Sequence, residues 1–537
     1  MTERRAEANL ESLHRIFSTP EAPDSTLSRI EREISSNLSG FLAEHIVATN
    51  RALADIEADF ASTVVPEEPR FVSDHTDFLL RHVVAESVHT ASPRFIGHMT
   101  SALPYFMVPL TKMMAALNQN VVKTETAKAM TPLERQVLGM LHHLVYAGDE
   151  AFYAEHVQNP RTALGAFCSG GTIANVTSLW VARNRALPAG EGFAGVDEEG
   201  LHRGLAHHGF DDVAILVSEL GHYSLVKAAN VLGLGRRAVR TVPIDSSHRV
   251  RPERVLEQGR ALAAEGTKVL AVVGIAGTTE TGHVDPLADL ADVCAELQCH
   301  FHVDAAWGGP TLFSSTHRDL LAGIERADSV TLDAHKQLYV PLGAGMAVFK
   351  DPSALASIEH HARYIIREGS KDIGSRTLEG SRPAMAMLVH AALHIIARQG
   401  FELLIDLGID RARRFAEMIE AADDFELITH PELNILTYRY VPRELWDALA
   451  SKDAQRRRVA NEQLDTLTEE IQRYQREAGT SFVSRTRVSV PRYDFAGVGV
   501  FRVVLANPLT DEAALAAVLE EQRQLGQRLV PAPSAVG

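Results

Sequence analysis

Asp304 and Lys336 are the two ionisable side chains whose surroundings are best suited to chemistry. Asp304 follows the apolar run Phe301-His302-Val303 and opens into Ala305-Ala306-Trp307-Gly308-Gly309. Lys336 follows Ser329-Val330-Thr331-Leu332 by way of Asp333-Ala334-His335. Each half reads as a buried β-strand that ends in small residues and then exposes one ionisable group. A carboxylate and an amine at the ends of two strands of one sheet suit pyridoxal phosphate. That cofactor needs a lysine for its aldehyde and a carboxylate for its ring nitrogen. Taken alone, a lysine is ordinarily surface decoration.

Three further stretches could complete such a site. Cys168-Ser169-Gly170-Gly171-Thr172 is a small-residue turn opening a helical run, where free backbone N–H groups and a hydroxyl make a phosphate site. It matches neither a nucleotide P-loop nor Gly-x-Gly-x-x-Gly. His222, after the strand ending at Ser218, offers an imidazole to stack on a ring or move protons; a capping or core histidine is the plainer alternative. The hydroxyls of Gly277-Thr278-Thr279-Glu280 follow the apolar run from Val269 to Ile275, where Thr279 could touch a ring substituent. The coincidence carries the weight: each candidate falls at the end of a successive strand.

The elements that must position these groups alternate between residues 162 and 350. The pattern predicts strands over Val213–Ser218, Ala238–Pro243, Val269–Gly274, His300–Asp304, Ser329–Leu332 and Gly345–Phe349, with helices over Thr172–Arg185, Ser224–Val231, Arg251–Glu265, Pro286–Glu296 and Arg318–Arg326. Repeated βαβ units imply an α/β fold, a mostly parallel sheet with helices on both faces and ligands at the C-terminal strand ends. Before it, Thr131-Pro132-Leu133-Glu134 reads as a helix start with Thr131 capping and Glu134 facing the dipole, and the polar Asn118-Gln119-Asn120 as a pocket lining. After residue 365, a long apolar helix around Ala384–Arg398, strands at Phe425–Thr429, Ile435–Tyr440 and Gly499–Ala506, and a helix at Ala460–Glu477 suggest a smaller α+β domain. The expected division is an N-terminal helical arm (1–95, including a helix over 26–54), a large domain (96–365) and a small C-terminal domain (366–537) with a disordered end from Leu529.

The bulk composition, 45% hydrophobic and 23% charged over 537 residues, is that of a globular protein with more than one domain. A net charge of −16 argues against nucleic acid or anionic membrane as a partner. No apolar run is long enough to span a bilayer, the first residues mix charges instead of forming a secretion signal, and three cysteines make no disulfide framework. A cytoplasmic location is expected. The 24 histidines show no metal-binding spacing, so no metal is expected.

From about residue 92 to about residue 521 the chain resembles the group II pyridoxal-phosphate decarboxylases, which act on glutamate, aspartate, aromatic amino acids and histidine. Ser169-Gly170-Gly171-Thr172 matches the family's phosphate turn. His222 matches the ring-stacking histidine, Asp304 the ring-nitrogen carboxylate, and Ala306 the small residue under the opposite ring face. Lys336 matches the lysine that takes the aldehyde, with Asp333 and His335 before it. The resemblance implies the aspartate-aminotransferase fold (fold type I) and a homodimer with its active site at the interface.

Phe501-Arg502-Val503-Val504-Leu505-Ala506-Asn507-Pro508 is most similar to the glutamate decarboxylase branch, in which the matching arginine contacts a substrate carboxylate. The stretches 363–370 and 377–382 look closest to a bacterial aspartate 1-decarboxylase subgroup. The implied reaction is α-decarboxylation of an acidic amino acid, aspartate to β-alanine, with glutamate to γ-aminobutyrate as the alternative. Neighbouring readings are a carbon–carbon lyase of the sphingosine-phosphate-lyase kind and, last, a non-catalytic scaffold. Two departures stand out. Many relatives have asparagine where this chain has Asp333, and the loop 367–376 lacks the tyrosine that protonates the product in several relatives, leaving Tyr364 or His222.

Overall fold

The computed structural model describes residues 47–361, 370–494 and 497–530. Seven strands form the main sheet: β1 Gly165–Cys168, β2 Asp212–Ser218, β3 Val239–Val242, β4 Thr267–Ile275, β5 His300–Asp304, β6 Ser329–Asp333 and β7 Gly345–Phe349. Their order is β1-β7-β6-β5-β4-β2-β3, parallel except for β7, which runs against both its neighbours. The interior of β4 is buried almost without a break, as expected for a parallel strand covered on both faces.

Alternate residues feed two cores. Leu216 and Val272 join one that includes helices α1 (Met130–Tyr146), α4 (Pro252–Ala264) and α5 (Leu287–Leu297). Ile215, Val217 and Val273 join the other, with helices α2 (Gly171–Ala186) and α3 (Tyr223–Val231). Because six strands point the same way, the ends of β1, β2, β4, β5 and β6 share one edge. That edge is where Gly171, His222, Thr279, Asp304 and Lys336 follow their strands.

A second, antiparallel sheet has the order β10-β11-β9-β8, from β8 Phe425–Thr429, β9 Ile435–Tyr440, β10 Ser484–Ser489 and β11 Gly497–Val504. Helices α7 (Ala397–Glu420), α8 (Ala454–Ala478) and α9 (Glu512–Leu529) pack on it through Phe415, Leu464, Ile471, Leu515 and Val518. Residues 95–98 run along this sheet toward the main one: Ile96 N–H donates to Phe482 O (3.0 Å), and Val504 N–H to Ile96 O (2.7 Å).

Several expectations are corrected. Helix α1 begins at Met130, so Thr131 lies inside it, buried, and is not its cap. The stretch Arg318–Arg326 forms two 3₁₀ turns, Arg318–Leu321 and Ile324–Arg326, broken at Gly323 with φ +97°. The apolar helix near Ala384–Arg398 is helix α6 (Ala386–Ile395), which bends by 87° into α7 at Ala397, whose φ is +57°. Strands β1 and β10 were not foreseen. The first has only four small or apolar residues, and the second is an edge strand with arginines pointing outward. Of the helix expected over 26–54, residues before 47 lie outside the described residues, as do Tyr364, the first residues of the 367–376 loop and the chain from 531. Among the described residues no single helix is long and apolar enough to cross a membrane.

Glu134 does not serve the helix dipole. It is 1% exposed and grips the Arg382 guanidinium through both carboxylate oxygens, tying α1 to the chain that leads into α6. Removing one partner strands a buried charge, at a cost of about 3–5 kcal/mol. Arg382→Ala is therefore expected to lower the thermal midpoint by several degrees, read by calorimetry, and Glu134→Gln with Arg382→Met to restore part of the loss.

Candidate active site

A cavity of about 500 Å³ opens at the shared strand edge. Its lining includes Gly170, Gly171, Thr172, His222, Thr279, Asp304, Ala306, Asp333, His335, Lys336 and Arg502. Asn120 is not among these. Its side chain accepts from Val122 N–H (3.2 Å) and Arg382 N–H (3.3 Å) and donates to Ser381 Oγ (2.9 Å), so it ties the turn at 120–122 to residues 381 and 382.

At one end the turn after β1 meets β6 and β7 with no spare room. A Cβ on Gly171 would come within 2.8 Å of Asp333 Oδ2 and 3.3 Å of Ala306 Cβ; one on Gly345 would fall 2.5 Å from Gly170 backbone atoms. Ser169 N–H donates to Glu379 Oε2 (2.8 Å), so the turn already holds an anionic oxygen. Asp333 Oδ2 lies 3.3 Å from Lys336 Nζ and 3.6 Å from His335 Nε2, whereas its buried Oδ1 has no hydrogen-bond partner. Burial raises the Asp333 pKa, against the pull of Lys336 and His335. His335 Nδ1 is 3.1 Å from Ala344 O, which fixes its ring.

At the centre, Asp304 is 7% exposed. One oxygen accepts from Asn175 Nδ2 (2.8 Å) and the other from Ala306 N–H (3.2 Å). His222 caps α3, with Nδ1 2.8 Å from Ser224 Oγ. Burial lowers its pKa; Asp304 opposes that shift and Lys336 adds to it.

At the far end, Arg502 on β11 is anchored by Thr279 O, by Gly97 O (3.4 Å) and by Ser484 Oγ (3.3 Å). Its Nη2 is buried and has no partner, and burial brings its pKa down to about 10, opposed by Glu280. It stays a cation near neutral pH, with one edge free for an anion. His98 also lines the cavity, its pKa lowered first by burial and then by Arg502 and Lys336.

Asn175 and His98 escaped the sequence reading. Asn175 sits four residues after Gly171, the spacing that places it on the same face of α2, and that was the available signal. His98 belongs to an irregular segment with no periodic pattern.

The donor set fits pyridoxal phosphate. The Gly170–Thr172 turn opens a helix on the cavity wall, Asp304 gives a carboxylate already held in place, and Lys336 brings an amine into the same cavity. The fold and site thus define a pyridoxal-phosphate enzyme of fold type I. A family model described as the pyridoxal-dependent decarboxylase conserved domain matches residues 64–441. The chain is 56% identical over 522 residues to an aspartate 1-decarboxylase from Aliivibrio fischeri, covering 97% of this chain and 95% of the relative. It is 31% identical over 458 residues to the cysteine sulfinic acid decarboxylase of Mus musculus, covering 84% and 85%. The crystal structure of the mouse enzyme superimposes with a TM-score of 0.78 at 26% identity, covering 93% of this chain and 99% of that one. The chain belongs to the pyridoxal-dependent decarboxylase family, and pyridoxal phosphate is its cofactor.

The crowding at Gly345 gives a direct check. Gly345→Ala should push the Gly170 turn aside at an overpacking cost of about 1–3 kcal/mol, weakening cofactor affinity by roughly five- to hundredfold in a fluorescence titration. The circular dichroism of the cofactor-free chain should stay unchanged.

Proposed function

We propose that the chain removes the α-carboxylate of aspartate, giving β-alanine and carbon dioxide. The observation that carries this reading is Arg502, which lines the cavity and whose buried Nη2 has no partner. A guanidinium grips a carboxylate through parallel charge-assisted hydrogen bonds, and an acidic side chain is the substrate feature such an edge fits. The relative that shares 56% of this sequence is an aspartate 1-decarboxylase, which supports the same substrate.

When bound, pyridoxal phosphate supplies an electron sink for the bond broken as the carboxylate leaves. Lys336 would tether it through the aldehyde, and Asp304 would serve its ring nitrogen as the carboxylate that favours the protonated form. His222 and Ala306 would flank the ring, the Gly170–Thr172 turn would hold the phosphate with Asp333 and His335 beside it, and Thr279 would meet a ring substituent. Arg502, with His98, would seat the substrate's side-chain carboxylate and fix how the α-carboxylate is presented. Such fixed orientation is a main source of rate in this chemistry. Return of a proton to the α-carbon falls to His222 or to Tyr364.

The assembly proposed is a cytoplasmic homodimer. Tyr223 (63% exposed) and Leu342 (68%) line the cavity mouth, and Tyr105 is 89% exposed. Large exposed apolar side chains at one mouth mark a surface that a second copy can cover.

Purified protein with pyridoxal phosphate, offered aspartate, glutamate, cysteine sulfinate and aromatic amino acids in turn, should yield β-alanine fastest. Faster γ-aminobutyrate formation would move the substrate to glutamate. Lys336→Ala should lose both the yellow absorbance and turnover. Arg502→Met should lower kcat/KM for aspartate by roughly 10- to 100-fold, as expected for a lost charged hydrogen bond of about 1.5–3 kcal/mol. Aspartate kinetics unchanged in Arg502→Met would refute that contact.

A further inference from the structure

Asn175 lies one turn into α2 and is 1% exposed. Its amide uses every hydrogen-bonding position it has. Nδ2 donates to Asp304 Oδ2 (2.8 Å) and Ser224 Oγ (2.9 Å), while Oδ1 accepts from Thr331 Oγ1 (2.7 Å) and lies 3.1 Å from His302 Nε2. A carboxylate offers only acceptors, so the NH₂ side of the amide must face Asp304.

The direction at His222 is set by the backbone: Ser224 N–H points at His222 Nδ1 (3.3 Å), which makes that nitrogen an acceptor, so the Ser224 O–H, whose oxygen accepts from Asn175, donates to it as well (2.8 Å). A ring nitrogen that receives two donors carries no proton, which leaves the proton of neutral His222 on Nε2. On the other side, His302 Nε2 lies 3.1 Å from Asn175 Oδ1, its Nδ1 lies 2.9 Å from Ser329 Oγ and 3.2 Å from Ser329 O, and His300 Nε2 lies 2.7 Å from Ser329 Oγ. Burial pushes His302 down to about 4 and His300 to about 3, so both rings are neutral.

We propose that Asn175 is a positioning residue that couples Asp304 to His222. It sets the orientation of the carboxylate and, through Ser224, holds the imidazole as its Nε2–H tautomer. His222 then presents a hydrogen-bond donor to an anionic substrate, and not a lone pair. The proposal rests on reading this cavity as the decarboxylase site. The titratable and charged groups that face the network are Asp304, His302 and His300 from β5, His222 from the start of α3 with Lys227 further along it, Asp333 from the end of β6 and Lys336 just after it.

Two measurements test it. In ¹⁵N-histidine NMR of the cofactor-free chain, the His222 signal, identified by its loss in His222→Gln, should show Nε2 protonated and Nδ1 bare. A proton on Nδ1 overturns the proposal, and this result needs no change at Asn175. In kinetics with aspartate, Asn175→Ala should lower kcat by roughly 10- to 100-fold with little change in KM. Asn175→Asp, the same size, should lose as much at high pH but regain part of it as pH falls, because protonating the introduced carboxyl restores an O–H donor to Asp304. Losses that are equal in both variants at every pH, or absent in both, overturn the coupling. Absence of any amine product from the wild-type chain would remove the decarboxylase reading itself, while the NMR result would still judge the tautomer.

Discussion

A carboxylate buried at the edge of a sheet has lost its water, and only fixed donors can offset that loss. Asp304 meets the requirement with two, the Asn175 amide and the Ala306 backbone N–H. Both depend on the fold around them. The Ala306 N–H is in place because β5 ends in small residues that turn at once. The Asn175 amide is in place because α2 starts at Gly171, close against β6 and β7. The crowding around the glycines, the direction of α2 and the placing of Lys336 by β6 all follow from packing α2 across those strand ends.

The electrostatics of the cavity divide along its length. The phosphate end mixes a buried acid, Asp333, with Lys336 and His335, and it carries backbone N–H groups where an anion can sit. The far end has a free guanidinium edge and the His98 imidazole, with a lowered pKa. Cationic side chains therefore stand at both ends of the cavity, with the Asp304 carboxylate between them. A small molecule with negative charge at its far end suits that distribution better than an aromatic one does.

Much of this was legible in the residues. The parallel strands announced themselves as short apolar runs, and β5, β7, β8 and β9 have the bounds read from the sequence. Asp304, Lys336, His222 and Gly171 stood out because each follows such a run. What escaped was what tertiary packing decides. Asn175 reads as an ordinary helix residue until two strands and a second helix close around it. Asn120 looked like a pocket residue because it is polar among apolar neighbours, but its amide joins its own turn at Val122 to the distant residues Ser381 and Arg382. Glu134 sat where a helix dipole would welcome it, and a buried arginine 248 positions away claimed it instead. The bend at Ala397 follows from one left-handed residue that no apolar pattern reveals.

The segment 95–98, laid along β11, gives the two halves of the cavity different histories. The cofactor half comes from a continuous stretch, residues 169 to 345, whose strands and helices are neighbours in the chain. The far end needs Arg502 brought against that stretch at Thr279 O and against Gly97, and the Arg502–Gly97 contact spans 405 positions. Contacts so distant in sequence are slow to close. A chain emerging from the ribosome therefore has all of residues 169 to 345 in hand well before Arg502 is available to close the far end of the cavity.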